Sequence, residues 1–230
     1  VSVESPVSER HTTIALLALT FATGLVDAVS VLDLGHVFVA NMTGNVVFLG
    51  FWLAPHTVVD VTAALVSFIS FVSGAVVGGR LARHLDHEVR RWLGIALSLE
   101  VAMLVTLATL AGAGVLRYHD NTKLLLISGL ALAFGIQNST ARQFGIQELS
   151  TTVLTTTISG LGFDSRLAGG SGEREGLRLS VVLTLCAGAA VGASMTRFTV
   201  APVIGLAALV VTVAAVIFRF GPHRQQVVAD

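Results

Sequence analysis

Apolar residues run through this chain in long blocks, and polar residues interrupt the blocks at few places. A block that crosses a bilayer as a helix needs about 20 residues. Six blocks read as spans: Thr12–Leu32, Val58–Ala82, Trp92–Leu116, Leu124–Thr140, Leu177–Thr196 and Thr199–Phe218, of which Leu124–Thr140 is the shortest. Two further blocks are marginal. Val37–Ala54 carries Asn41-Met42-Thr43-Gly44-Asn45, and Leu149–Phe163 carries a Thr-rich run with Thr151, Thr152, Thr155, Thr156 and Thr157. Unpaired polar groups in lipid cost several kcal/mol each, so such residues need a structural or a transport reason to be there. The expected fold class is an all-α membrane protein with about six transmembrane helices, plus two marginal or re-entrant polar helices.

Charge placement separates six crossings from eight. With six spans and a cytoplasmic N-terminus, the cytoplasmic side receives Arg10, Arg80, Arg83, Arg90, Arg91, Arg142, Arg166, Arg174, Arg178, Arg219 and Arg224; the other side receives Arg117, Lys123 and Arg197. With eight spans the loop from Arg80 to Arg91 changes side and the division falls to 8 against 6. Cytoplasmic loops carry the excess of Lys and Arg. The bias therefore favours six spans with both marginal blocks re-entrant, and cytoplasmic tails at 1–11 and 219–230.

Composition agrees. The chain has 230 residues, of which 53% are hydrophobic and 12% charged, against about 25% charged in soluble domains. Its mean hydropathy is +0.82. A formal net charge of zero gives no reason to expect nucleic acid. Cys186 is the one cysteine; it leaves no intramolecular disulfide and no cysteine metal site, and is expected to be a small core residue. The seven histidines form no HExxH or HxxxH pair. No P-loop, GxSxG or CxxC motif is present. The expectation is a non-enzyme without cofactor or metal. The first apolar block has only Arg10 before it and is interrupted by Asp27, so it reads as a span rather than a signal peptide.

The chain also repeats itself. Gly24-Leu25-Val26-Asp27-Ala28 matches Gly135-Ile136-Gln137-Asn138-Ser139, the decapeptide from Asn41 to Gly50 matches Val153 to Gly162, and Gly74-Ala75-Val76-Val77-Gly78 matches Gly188-Ala189-Ala190-Val191-Gly192. Order and spacing are kept. A single membrane domain, 1–230, is thus expected to hold two repeats, 12–116 and 122–218. Each has three spans plus one marginal segment. Three is odd, so the second unit runs opposite to the first. Inverted repeats of this kind recur in transporters, with the substrate site near the midplane where the repeats meet.

Candidate site residues follow from polarity and repeat position: Asp27, Asn41, Thr43, Asn45, Gln137, Asn138 and Thr155. For Asp27 two readings stand, a proton- or cation-coupling acid and a residue near the outer interface that caps the turn before Gly35. The amides and threonines line a permeation path or hydrogen-bond between helices. Glu100 reads as a proton relay or, with more weight, as an ion-pairing or snorkelling group near the Arg-rich end. Gly74/Gly78 and Gly188/Gly192 are GxxxG motifs that permit close helix approach.

Gly24-Leu25-Val26-Asp27-Ala28-Val29-Ser30, then Leu34-Gly35, then Val37-Phe38-Val39-Ala40 and the Asn41–Asn45 motif, resemble the signature of the YoaK-like family of bacterial membrane proteins, whose function is unknown. The stretches Gly135–Ser139 and Leu154-Thr155 are similar to its second conserved region, although Thr156 stands where a glycine is expected. The resemblance covers about residues 12 to 218 and implies a multi-pass protein of the bacterial inner (plasma) membrane. Taken with the repeat, the expected function is a small-solute transporter or channel with a polar site at the repeat interface. The alternative is a non-transporting assembly or partner-binding component. Expected partners are the lipid bilayer and an unknown small solute or ion, with a second copy as homo-oligomer a further candidate, and no nucleic acid.

Overall fold

A computed structural model describes residues 5–54, 58–85, 87–117, 120–144, 154–197 and 199–222. Eight α-helices are present among them: α1 (Glu9–Asp33), α2 (Met42–Leu49), α3 (Val61–His84), α4 (Val89–Gly112), α5 (Lys123–Arg142), α6 (Leu154–Phe163), α7 (Glu175–Met195) and α8 (Val200–Phe220). All except α2 and α6 are long and apolar enough to cross a membrane. The chain is thus an all-helical, multi-pass membrane protein. Local chemistry sets the ends. Gly35 (φ 117°) and His36 (φ 59°) turn the chain back after α1, and the Asp60 carboxylate caps α3 by accepting from the Ala63 N–H at 3.0 Å. Pro202 sits in the first turn of α8, where its missing N–H leaves no bond unmade.

The spans alternate in direction. At one end the Arg90 guanidinium donates to the Pro6 and Gly221 carbonyls, both at 3.2 Å, so the starts of α1 and α4 meet the end of α8. Trp92 and Phe144 lie with ring centroids 6.1 Å apart, which adds the end of α5. At the other end Lys123 pairs with Asp60 at 2.8 Å, and the Asp60 N–H donates to the Gly35 carbonyl at 3.2 Å. These join the end of α1 to the starts of α3 and α5.

The Asp60–Gly35 bond decides the fate of the first marginal block. The chain leaves α1 and enters α3 at the same end. Between them α2 has eight residues, about 12 Å at 1.5 Å per residue, far short of a ~30 Å hydrocarbon core. The block therefore turns back instead of crossing. Its counterpart α6 has ten residues, about 15 Å. Residues 149–153 of that block, with Thr151 and Thr152, lie outside the described residues, as do 1–4 and 223–230 of the expected tails.

Packing runs α3 on α5, α1 on α7, α4 on α8, α1 on α8 and α4 on α5, with α1 and α5 touching more lightly. Helices α1 and α5 are the most enclosed of the spans and α7 is the least. Glycines make the two tightest crossings. A Cβ on Gly24 would strike the Leu185 carbonyl and one on Gly188 the Phe21 carbonyl; likewise one on Gly135 would strike the Phe71 carbonyl and one on Gly74 the Leu132 carbonyl. The GxxxG motifs thus serve the close approach expected of them. Cys186, expected in the core, is exposed. It lies two residues from Gly188, hence about 200° around α7 from the face that meets α1.

Candidate functional site

The polar groups between α1 and α3 gather on one loop. After the Gly35–His36 reversal, residues 37–41 run back alongside α1. There the Asp27 Oδ1 accepts from the Val39 and Ala40 N–H groups, both at 2.9 Å. Oδ2 accepts from the Asn41 amide at 2.5 Å. Asp27 is 6% exposed. Successive backbone N–H groups make a natural cradle for a carboxylate, and no cation is needed to hold it.

One turn into α2 the Asn45 amide clasps the Phe38 backbone. Its Oδ1 accepts from the Phe38 N–H at 2.9 Å, and its Nδ2 donates to the Phe38 carbonyl at 2.6 Å. An asparagine side chain offers an amide's donor and acceptor together, so here it stands in for a neighbouring strand. Ser67 on α3 donates to the same carbonyl at 2.6 Å. Gly44 faces the Phe38 ring, which a Cβ would hit, and that ring stacks on Phe48 at 6.1 Å. The Asn41–Asn45 motif is therefore a clamp that holds an extended segment against α1 and α3.

In the second half, Gln137 and Asn138 are buried on α5, 2% and 7% exposed. Gln137 donates to the Thr23 hydroxyl on α1 at 3.3 Å, one turn before Asp27. Asn138 donates to the Phe134 carbonyl at 3.1 Å. Thr157, which the sequence match sets opposite Asn45, is buried on α6 (3%), whereas Thr43 and Thr155 are exposed on α2 and α6. Thus Asp27, Asn41 and Asn45 come together on one loop, Gln137 reaches α1 beside it, and the two threonines are exposed on the short helices.

Three participants carry little sequence signal. Ser67 and Thr23 are single hydroxyls in apolar runs, and the Phe38 backbone carries no side-chain signature at all. Glu100 departs from the preferred expectation. It neither snorkels nor pairs: it is 0% exposed, and neither carboxyl oxygen has a hydrogen-bond partner among the described residues. It falls in the buried stripe Leu93, Leu97, Glu100, Leu104, Leu107 of α4, so its helix face, not its distance from the Arg-rich end, fixes its surroundings. No group of three or more His, Cys, Asp or Glu placed to hold a metal ion occurs among the described residues.

Known proteins bear on this arrangement in one direction. A family described as a protein of unknown function, DUF1275, matches residues 15–217. The UPF0700 transmembrane protein YoaK of Bacillus subtilis (strain 168) is 35% identical over 155 residues, which are 66% of this chain and 65% of that protein, slightly under two thirds of its length. No solved structure matches. The chain belongs to the DUF1275, YoaK-like family of multi-pass membrane proteins.

Proposed function

We propose that this protein is a small-solute transporter or channel of the bacterial plasma membrane, built from two three-span units of opposite orientation, 12–116 and 122–218, with both tails cytoplasmic. The observation that carries the reading is the matched pair of glycine crossings. Exchanging α1 with α5 and α3 with α7 turns the Gly24–Leu185 and Gly188–Phe21 approaches into the Gly135–Phe71 and Gly74–Leu132 approaches. The same exchange, with α4 and α8 swapped, turns the α1–α8 packing into α5–α4 and leaves α4–α8 as itself. Two units related in this way and each holding a broken helix are a recurrent transporter design. The excess of arginine at the end holding the start of α1 supports a cytoplasmic assignment for that end.

The site belongs where α1 meets α5, with the two short helices held on α3 and α7. Asp27, Asn41 and Asn45 shape it by fixing the loop. Thr43, Thr155, Gln137 and Asn138 supply polar groups for a solute. The reading assigns the chain no catalysis. The test is flux through proteoliposomes for a panel of small polar solutes and monovalent ions, against protein-free vesicles. Thr43→Val and Thr155→Val, which leave the clamp intact, should change the rate or selectivity. A panel in which no member moves faster than through empty vesicles overturns the reading.

One observation favours the other reading, a non-transporting assembly or partner-binding component. Asp27, Asn41 and Asn45 satisfy one another and the loop backbone, as groups that only fix packing would. That reading expects no flux and a stably associated membrane protein on purification in mild detergent.

A further inference from the structure

Two turns before Leu107 on α4, a carboxyl faces α5 with nothing described to meet it. Helices α4 and α5 run antiparallel. Near one end Leu107 packs where a Cβ of Gly129 would be, its Cδ1 2.9 Å away; near the other Trp92 meets Phe144. Between these fixed points Glu100 comes level with Ile136 and Gln137. About 3.6 residues make a turn, so seven residues return Glu100 to the face of Leu107, and eleven residues return Thr140 to the face of Gly129. Side chains on a helix lean toward its N-terminus. In an antiparallel pair Glu100 and Thr140 therefore lean toward each other, with Gln137 between them and α1.

All three are buried, and each carries an oxygen without a hydrogen-bond partner among the described residues: both carboxyl oxygens of Glu100, Oγ1 of Thr140 and Oε1 of Gln137. The charged and titratable residues on the helices packed against α4 are Lys123 and Arg142 on α5, Arg219 on α8 and, across the looser α3 contact, Arg80, Arg83 and His84. Each sits at a helix end. On α4 itself Arg90 and Arg91 are in the first turn, and Arg90 holds the Pro6 and Gly221 carbonyls. Among the described residues no fixed positive charge faces Glu100. Acids kept inside a membrane bundle mark ion or proton paths.

We propose that Glu100 is a proton-binding site, in which the carboxyl takes up and gives off a proton at the α4–α5 seam, with the Thr140 hydroxyl and the Gln137 carbonyl as its neighbours. The proton would then be the coupling ion of the transporter, a step that rests on the transport reading above. Proton binding itself does not.

The test is an infrared pH titration of the whole protein in lipid, taken as the difference between wild type and Glu100→Gln. The expected result is a protonated-carboxyl band, absent in the variant, that shifts in heavy water and gives way to carboxylate bands as pH rises. Thr140→Val should move that titration while leaving the band present; it keeps the proposal open to test should Glu100→Gln fold poorly. Carboxylate bands at every pH that respond to sodium would overturn the proposal in favour of a metal-cation site. A protonated band that neither exchanges nor titrates would overturn it in favour of a buried structural acid. Solute flux enters none of these readings, so a failed titration and a failed flux assay are told apart.

Discussion

Asp27 accepts from two backbone N–H groups and from the Asn41 amide, and this suggests an exchange experiment. In Asp27→Asn the oxygen can still meet Val39 and Ala40, but its amide nitrogen then opposes that of Asn41. Hydrogen bonds to a charged group contribute about 1.5–3 kcal/mol, so the single variant should lose about 2 kcal/mol. Asn41→Asp sets two carboxylates face to face and should lose at least as much. The double variant restores a donor opposite an acceptor and should recover most of the loss, read as thermal unfolding in detergent. A double variant no better than the worse single one would break the link between these two side chains. Asn45→Leu should also cost about 1–3 kcal/mol, because it removes the acceptor of the Phe38 N–H and one of the two donors to the Phe38 carbonyl in one step. Ser67→Ala should cost less, since Asn45 still donates to the same carbonyl. At this scale the sequence makes Asp27 and the Asn41–Asn45 motif conspicuous, because polarity inside an apolar run is costly. It does not reveal that they serve one another, because the groups they hold are backbone atoms, which every residue has. Glu100 was equally conspicuous and its surroundings equally hidden, since a face of α4 acquires meaning only from what packs on it.

Helices α1, α3, α5 and α7 depend on glycine at their crossings, where the atoms in the way are backbone and cannot move aside. Gly24→Ala and its mate Gly135→Ala should each cost about 1–3 kcal/mol by overpacking, and by similar amounts if the two crossings are equivalent. Gly94 and Gly205 are controls: nothing lies within 4 Å of an added Cβ, so alanine there should be neutral or stabilise by up to ~1 kcal/mol through helix propensity. Gly24 sensitive and Gly135 indifferent would count against the duplication. The cap of α3 makes a separate prediction. Burial works to raise the Asp60 carboxyl, but the Lys123 ammonium and the Ala63 N–H outweigh it and hold the group below its ordinary value. Folding therefore gains from the ionised form above the unfolded pKa, about 4, and loses that gain as pH falls through the lowered folded value. Asp60→Asn should flatten the acid limb of the stability profile, by no more than the ~1 kcal/mol of an exposed pair. An unchanged acid limb would show that the Asp60 cap contributes nothing. The spacing of Gly74 and Gly78, and of Gly188 and Gly192, made the close approaches legible in the sequence. Their partners were not, because the struck atoms are carbonyls of Phe21, Phe71, Leu132 and Leu185.

For the whole molecule, the count of crossings decides which loops share a side. The six blocks were readable from length and apolarity alone, with boundaries off by a few residues: α4 begins at Val89 rather than Trp92 and ends at Gly112 rather than Leu116. The turning back of the first marginal block was readable only through charge, and its geometric cause, the Gly35–Asp60 contact, joins residues on either side of it. That contact has a measurable consequence. In a Cys186→Ser background, single cysteines at Arg83 and Arg174 should react with an impermeant maleimide from one face of the membrane, and cysteines at Arg117 and Arg197 from the other. The pair Arg83 and Arg174 reports on the second marginal block, which separates them if it crosses, and the pair Arg10 and Arg83 reports on the first in the same way. Were both blocks to cross, Arg83 would leave the side of Arg10 and Arg174 would return to it. Labelling of these four positions together with a single cysteine at Arg10, from oriented vesicles, thus distinguishes six, seven and eight crossings. The expected pattern, Arg83 and Arg174 reactive from inside and Arg117 and Arg197 from outside, also fixes the orientation that the arginine bias proposes. Labelling of Arg10 and Arg83 from opposite faces would overturn the six-span arrangement, and with it the opposite orientation of the two units on which the transport reading stands.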